Sequence, residues 1–326
     1  LRLKKEAAGF EAEAVAWSYQ EARLILIRDT KSEWWQAFYL DRALEILDRN
    51  LDLLRGLVEI AGKKYEVGKG LQSDVVLAQL ELSKLLDVEL RLKSARAASG
   101  ARLGALLAFP AGSAIRIAGE VSRDLPELSG EAALLELAEQ NSPRLAVQEN
   151  RLNAAEARED YAERDFYPDF TLSADYGFRK GFDQARNLER ADFVSFGIGI
   201  KIPLYAGSKQ SKALDQRRAE RQEKTLSLTQ TRLIIQRDIG TGLALYRQTR
   251  EQVRLFGTGI IPQAQMTLDA MRAAYLVDEV DFLNLVSAEI TLFNYETRYW
   301  QVLSEANQAL ALIEAAVGKE LTNDHQ

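Results

Sequence analysis

The first 67 residues contain no proline and carry a continuous apolar periodicity, which constrains them to a single very long helix. At ~1.5 Å per residue such a helix would be roughly 100 Å long, far beyond ordinary globular dimensions. Its later part has a seam at alternating spacings of four and three: Leu40, Leu44, Leu47, Leu51, Leu54, Val58, Ala61 and Tyr65. That spacing is the signature of a coiled coil. A second stripe runs beside it through Ala43, Ile46, Asn50, Leu53, Leu57, Ile60, Lys64 and Val67. One seam serves one partner. Two adjacent seams place the helix between two neighbours, either in a wall of helices closed into a cylinder or inside an ordinary bundle.

Gly68-Lys69-Gly70 ends this helix, and Ser73 or Asp74 is expected to cap a second one that runs to about Ala108, ahead of Pro110. A mixed segment follows, with a β-like run at Ile115-Arg116-Ile117 and turn residues at Gly112, Gly119, Pro126 and Gly130. Short helices are predicted over 131–140 and 143–166, the latter opening on Pro143.

After Pro168 the period changes to two. Phe170, Leu172, Ala174, Tyr176 and Phe178 share one face, opposite Thr171, Ser173, Asp175, Gly177 and Arg179. A polar loop over 180–191 leads to a matching run, in which Val194, Phe196, Ile198, Ile200 and Ile202 alternate with Ser195, Gly197, Gly199 and Lys201. Each run has about the 9–11 residues of a membrane-spanning strand. An apolar, aromatic face opposite a small polar one suits a barrel with lipid outside and water inside. A soluble hairpin packed on a helix would alternate in the same way.

A third helical stretch runs over 207–277 with a kink expected near Ile261, because Pro262 removes a backbone hydrogen bond and glycines stand at 257 and 259. A fourth helix covers 281–317. Shifting the chain by 210 residues superposes the two long hairpins, so that Tyr65 meets Tyr275, Val67 meets Val277, Val76 meets Val286 and Ala78 meets Ala288. Identities along coils are weak signals. The shared layout is stronger: a very long helix, a turn just after a tyrosine, then a helix of about half the length.

Bulk composition removes several function classes. Cysteine is absent, so thiol nucleophiles, disulfides and thiolate metal sites are excluded within this sequence. The one histidine, His325, stands beside the C-terminal residue, and neither a phosphate-binding glycine loop nor a metal-ligand cluster is visible. No catalytic or metal-binding residue and no cofactor is expected. A net charge of −6 gives no basic face for nucleic acid. No stretch has the ~20 apolar residues of a membrane helix, and residues 1–6 do not read as a signal peptide. Trp34, Trp35, Phe38 and Tyr39 read as packing around the long helix, and Arg217, Arg218, Arg221 and Lys224 as a solvated face.

Three segments resemble the TolC family of outer-membrane efflux proteins. Ile200-Lys201-Ile202-Pro203-Leu204-Tyr205-Ala206-Gly207 is similar to the family's strand-to-helix junction. Ser142-Pro143-Arg144-Leu145, through Ala154-Ala155-Glu156-Ala157, to Phe166-Tyr167-Pro168-Asp169-Phe170-Thr171-Leu172 resembles its alanine-rich helix leading into an outer-membrane strand. The turn Tyr65, Gly68, Asp74, Ala78 looks like the family's tip; Tyr275, Asp278, Asn284 and Ala288 repeat it with two departures.

The resemblance implies a mainly α fold of long antiparallel coiled-coil hairpins in two repeats, with a β-hairpin contributing to an outer-membrane barrel. It divides the chain into a first helical hairpin (1–109), an equatorial connector (110–142), a lead-in helix with its β-hairpin (143–206), a second helical hairpin (207–318) and a polar tail (319–326). It also implies a homotrimeric, passive duct in the outer membrane of a Gram-negative bacterium, extending into the periplasm. Its partners would be a periplasmic adaptor (membrane fusion) protein, an inner-membrane pump and outer-membrane lipid.

The family pattern starts with another short helix and strand pair, expected upstream of Leu1; two strands per chain would not close the family's shared barrel. Carried over by position, the periplasmic gate would use Tyr65, Gly68, Asp74, Tyr275, Asp278, Glu279, Asp281 and Asn284, with Tyr275 and Asp74 paired in a closed state. Acids at 278, 279 and 281 would either ring a constriction or merely favour a helix start. The lipid face would carry Phe170, Leu172, Tyr176, Phe178, Val194, Phe196, Ile198, Ile200 and Ile202. The start of the chain, 1–14, leans toward the heavy-metal cation branch. The alternative reading is a periplasmic coiled-coil adaptor, whose single hairpin and glycine- and valine-rich module are not matched here.

Overall fold

The computed structural model describes residues 2–117, 119, 121–183, 185, 188–189, 191–277 and 279–321. It is mainly helical. Helices α1 (Arg2–Glu66) and α2 (Gln72–Leu106) form the first long pair; α3 (Glu131–Asn141) and α4 (Pro143–Arg164) follow. Strands β1 (Asp169–Gly177), β2 (Phe182–Asp183), β3 (Leu188–Glu189) and β4 (Phe193–Lys201) precede α5 (Ser211–Leu255), α6 (Ile261–Leu276) and α7 (Phe282–Val317). Among the described residues no helix is long and apolar enough to cross a membrane. The chain divides into two compact units, 1–18 with 144–232, and 19–143 with 233–326.

In the first unit alanines carry the helix packing. Ala7 and Ala14 of α1 and Ala154, Ala155, Ala157 and Ala162 of α4 are buried, small enough for backbones to approach closely. Ion pairs join the helices: Arg158 of α4 with Glu11 of α1, and Arg221 of α5 with Glu159 of α4 at 2.8 Å. Arg218 also reaches Glu159 and Glu163, at 3.4 and 3.3 Å. Two residues of the basic run, Arg218 and Arg221, thus reach the acids of α4 while staying about half exposed, and Arg217 and Lys224 pair within α5.

The hairpin pairs β1 with β4 antiparallel, matching Phe170 with Ile200, Leu172 with Ile198, Ala174 with Phe196 and Tyr176 with Val194. Both apolar sets thus lie on one face, as the alternation predicts. The polar loop differs from expectation, since β2 and β3 pair within it as a separate two-stranded sheet. Gly177 faces the Phe193 ring, where any Cβ would collide.

In the second unit the first seam is the core. Leu47, Leu51, Leu54 and Ala61 of α1 cluster with Ala78 and Leu85 of α2, Leu268 and Tyr275 of α6, and Phe282, Leu285, Val286, Leu292 and Phe293 of α7. The second stripe is buried at Ala43, Ile46 and Asn50 and opens toward the turn, where Leu53 and Ile60 stay exposed. The aromatic group packs as expected: Trp34 stacks on Phe38 at 5.5 Å and Phe38 meets Trp300 at 5.7 Å. The connector is pinned by hydrogen bonds to backbone carbonyls. Arg96 holds Asp41 at 2.6 Å and donates to the Ile115 carbonyl at 2.8 Å, while the Tyr246 hydroxyl donates to that of Pro126 at 2.7 Å.

Three local expectations are corrected. Residues 115–117 form no strand; the Ile115 carbonyl is taken by Arg96 instead of a ladder partner. Ser73 and Asp74 lie inside α2, whose N-cap is Leu71 with no side-chain cap bond. Pro262 sits at the start of α6, and the disturbance before it is a π-helical turn, Phe256–Ile260, within a continuous helical backbone.

Candidate functional site

The two helix-to-helix turns of the second unit hold the predicted gate residues. The first is closed by glycine. Gly68 has φ +69, its N–H donates to the Tyr65 carbonyl at 3.0 Å, and the Lys69 N–H donates to the Lys64 carbonyl at 2.8 Å. This pair of bonds with a left-handed residue is the Schellman ending of a helix. Gly70 is needed for a different reason, since a Cβ there would lie 2.9 Å from that of Lys64.

Two backbone hydrogen bonds of the first turn recur in the second. The Glu279 N–H donates to the Ala274 carbonyl at 3.0 Å, the counterpart of Lys69 on Lys64. The Asn284 N–H donates to the Asp281 carbonyl at 3.1 Å, as Asp74 does to Leu71 at 3.1 Å. The N-caps agree too, Leu71 at φ −95, ψ 145 and Asp281 at φ −68, ψ 147. Duplication at the 210-residue shift therefore extends to individual backbone hydrogen bonds.

The side chains break this equivalence. Tyr275 is buried at 7% exposure, whereas its repeat mate Tyr65 is 48% exposed. Lys64 of α1 covers Tyr275: its ammonium stands 4.1 Å from the ring centroid and donates to the Tyr275 carbonyl at 3.3 Å. A cation over an aromatic face and beside the last carbonyls of a helix is favoured twice. Phe282 lies against the same ring at 5.6 Å. Beside it, Arg272 of α6 reaches Glu289 of α7 at 2.8 Å, with that carboxylate buried. Leu53, Leu57, Ile60, Leu276 and Leu285 form the apolar walls of a cleft of about 350 Å³ above this pair.

Of the remaining predicted residues, Asp74 is half-buried in the first turn of α2, where Ser73 Oγ lies 3.5 Å from its carboxylate. Glu279, Asp281 and Asn284 are exposed, and Asp281 makes no side-chain cap bond. Asp278 lies outside the described residues. Sequence reading placed Lys64 in a stripe but gave it no role, and missed Arg272 and Glu289. Their signal was a lysine at an apolar stripe position, and a glutamate among otherwise apolar core positions of α7.

Farther along α7, burial holds the Glu296 carboxyl above the usual carboxylate range; Arg49, at 3.4 Å, opposes this and Glu289 adds to it. On the hairpin, Phe170, Leu172, Tyr176, Val194, Phe196, Ile198 and Ile200 are 56–80% exposed, and Phe178 and Ile202, just beyond the strand ends, are exposed as well. Among the described residues no cluster of histidine, cysteine or acidic side chains forms a metal site.

Residues 134–319 match the profile of a family described as outer membrane efflux protein. The cobalt-zinc-cadmium resistance protein CzcC of Cupriavidus metallidurans is 26% identical over 272 residues, covering 80% of this chain and 60% of that protein. Nodulation protein T of Rhizobium leguminosarum bv. trifolii is 24% identical over 321 residues, covering 96% of this chain and 67% of its own length. Among solved structures, the outer membrane protein VceC of Vibrio cholerae superposes with a TM-score of 0.83 at 20% identity, over 98% of this chain and 75% of that one.

Proposed function

Because the chain belongs to the outer membrane efflux protein family, we propose that its full-length protein is the outer-membrane channel of a tripartite efflux system. It is a passive homotrimeric duct of the Gram-negative outer membrane, reaching into the periplasm, with energy supplied by an inner-membrane pump through a periplasmic adaptor. The observation that carries this reading is the uncovered apolar face of the β1–β4 hairpin. Its aligned aromatic and aliphatic side chains are 56–80% exposed, an arrangement suited to lipid on one side and water on the other. Exposed contiguous apolar surface of this kind marks a membrane or protein contact.

The unequal tyrosines support the trimer. Tyr275 is covered by the first repeat, and Tyr65 is left open at the equivalent place. A ring of alternating repeats covers Tyr65 with the second repeat of a neighbouring copy, giving six quasi-equivalent units. The turns then form the periplasmic gate, with Glu279 and Asp281 as its exposed carboxylates, which favour cations. Tyr275 and Asp74 pair across the repeats when the gate is shut. Divalent metal cations are the first cargo to test, because of the likeness to a cobalt-zinc-cadmium resistance protein. The ions are substrates passing through, not residents.

The experiment is metal accumulation in cells lacking their own channel but retaining pump and adaptor. Expression of the full-length protein is expected to lower intracellular cobalt, zinc or cadmium. Unchanged accumulation of metals and of small organic substrates, with the protein trimeric in the outer membrane, overturns the proposal.

A further inference from the structure

Between equivalent seam positions the second repeat carries one residue more of chain than the first. In α1 it runs through Ala37, Leu40, Leu44, Leu47, Leu51, Leu54, Val58 and Ala61, at spacings of three and four throughout. In the second repeat it runs through Tyr246, Thr249, Val253 and Phe256, then Ile261, Ala264, Leu268, Met271 and Tyr275. The single spacing of five, from Phe256 to Ile261, coincides with the π-helical turn Phe256–Ile260. Beyond the turn the repeats match at a shift of 210; before it they match at 209, with Tyr246 on Ala37, Thr249 on Leu40 and Val253 on Leu44. A π-turn is an α-helix carrying one inserted residue, and such turns collect at functional sites.

We propose that this extra residue makes α6 a two-register element that rolls against α7 and thereby releases the gate, a device that rests on the duct reading above. With the wide turn in place, Leu268 and Tyr275 face the core. If the turn tightens to regular α-helix, α6 rotates by about 100° and shifts by about 1.5 Å, one residue's worth. The face then turned inward is Ile260, Gln263, Thr267, Ala270 and Ala274, smaller and less apolar on the whole than the seam it replaces. Tyr275 leaves Lys64, and the tip loosens.

Three features favour motion at this place. The helix is clamped just before the turn, by Tyr246 on the Pro126 carbonyl and Arg250 on that of Leu125 at 3.1 Å. Gly257 and Gly259 lie within the turn, where the backbone is least restrained. An open cleft of about 380 Å³ between α6 and α7 is lined by Ile260, Gln263, Thr267, Ser287 and Thr291, so the rolling face has room. The first repeat has none of this, since α1 is unbroken there. It acts as the fixed wall.

The chain lacks cysteine, so thiol labelling reads the register directly in the full-length protein. Leu268→Cys probes the seam of α6, and Leu54→Cys an equally buried position in the seam of α1; both are 1% exposed. Leu268→Cys is expected to react with a maleimide about ten-fold faster than Leu54→Cys, as local opening exposes it. Deleting Gly259 straightens the turn while keeping the seam in register, and should abolish that difference and the export activity together. If the deletion variant does not fold, Gly259→Ala, whose Cβ would make an ordinary 3.7 Å contact with Leu255, should slow labelling several-fold. Equal labelling of Leu268→Cys and Leu54→Cys overturns the proposal, as does full export by a folded deletion variant. A wild-type protein that exports nothing would refute the duct instead, and the labelling would still report the register.

Discussion

At the scale of single residues, glycines and half-buried charges set what can change. Gly318 ends α7 at φ +88 with the Asn141 carbonyl directly where a side chain would start, whereas Gly68 at φ +69 has open space around it. Gly68→Ala should therefore cost only the left-handed penalty, about 1–2 kcal/mol. Gly318→Ala should cost clearly more, because backbone must also move. Thermal melts of the two variants check the order. Glu296 gives a pH signature. Its folded-state affinity for a proton is raised above that of the unfolded chain, so ionising it costs stability. The cost is absent below the ordinary value of 4.5 and grows as pH rises through the folded value. Glu296→Gln should be more stable than wild type at neutral pH, with the difference vanishing below 4.5; a difference independent of pH would remove Glu296 from the account.

At the scale of elements, period decided what the sequence could tell. Four- and three-residue spacing located α1, and two-residue spacing located β1 and β4 with the correct shared face, because each pattern follows from side chains returning to one face at a fixed period. Features without a period were not legible. Nothing local in Ile115-Arg116-Ile117 distinguishes a strand from a segment whose carbonyl is captured by Arg96. Ser73 and Asp74 are good capping types, yet the chain enters α2 two residues earlier, at Leu71. The π-turn was visible in principle as a spacing of five, but Gly257, Gly259 and Pro262 suggested a kink first. The candidate site was half-legible: the turns were found, while Lys64 over Tyr275 depends on which repeat lies beside which. Two element-scale variants follow. Leu51→Ala, at the centre of the α1 seam, should destabilise by about 2–5 kcal/mol in denaturant titration. Phe196→Arg on the lipid face should cost about 2–4 kcal/mol of membrane insertion near mid-depth and deplete the inserted fraction, whereas Ser195→Arg on the opposite face should insert normally. Equal insertion of both would remove the lipid assignment of that face.

At the scale of the whole molecule, duplication accounts for the architecture. The same turn is built twice, down to paired backbone hydrogen bonds, and the copies then diverge where they meet: one tyrosine covered, one open; one long helix regular, one carrying an extra residue. Under the proposal above, the regular repeat holds position while the one with the extra residue moves. The central claim is that three such chains enclose a single water column controlled at these turns. The most direct test is single-channel current of the full-length protein in planar lipid bilayers, comparing wild type with Lys64→Ala. The account predicts a small or absent current in wild type and a larger, stepwise, cation-selective conductance in the variant. No current in either, with both trimeric and inserted in the bilayer, would contradict it.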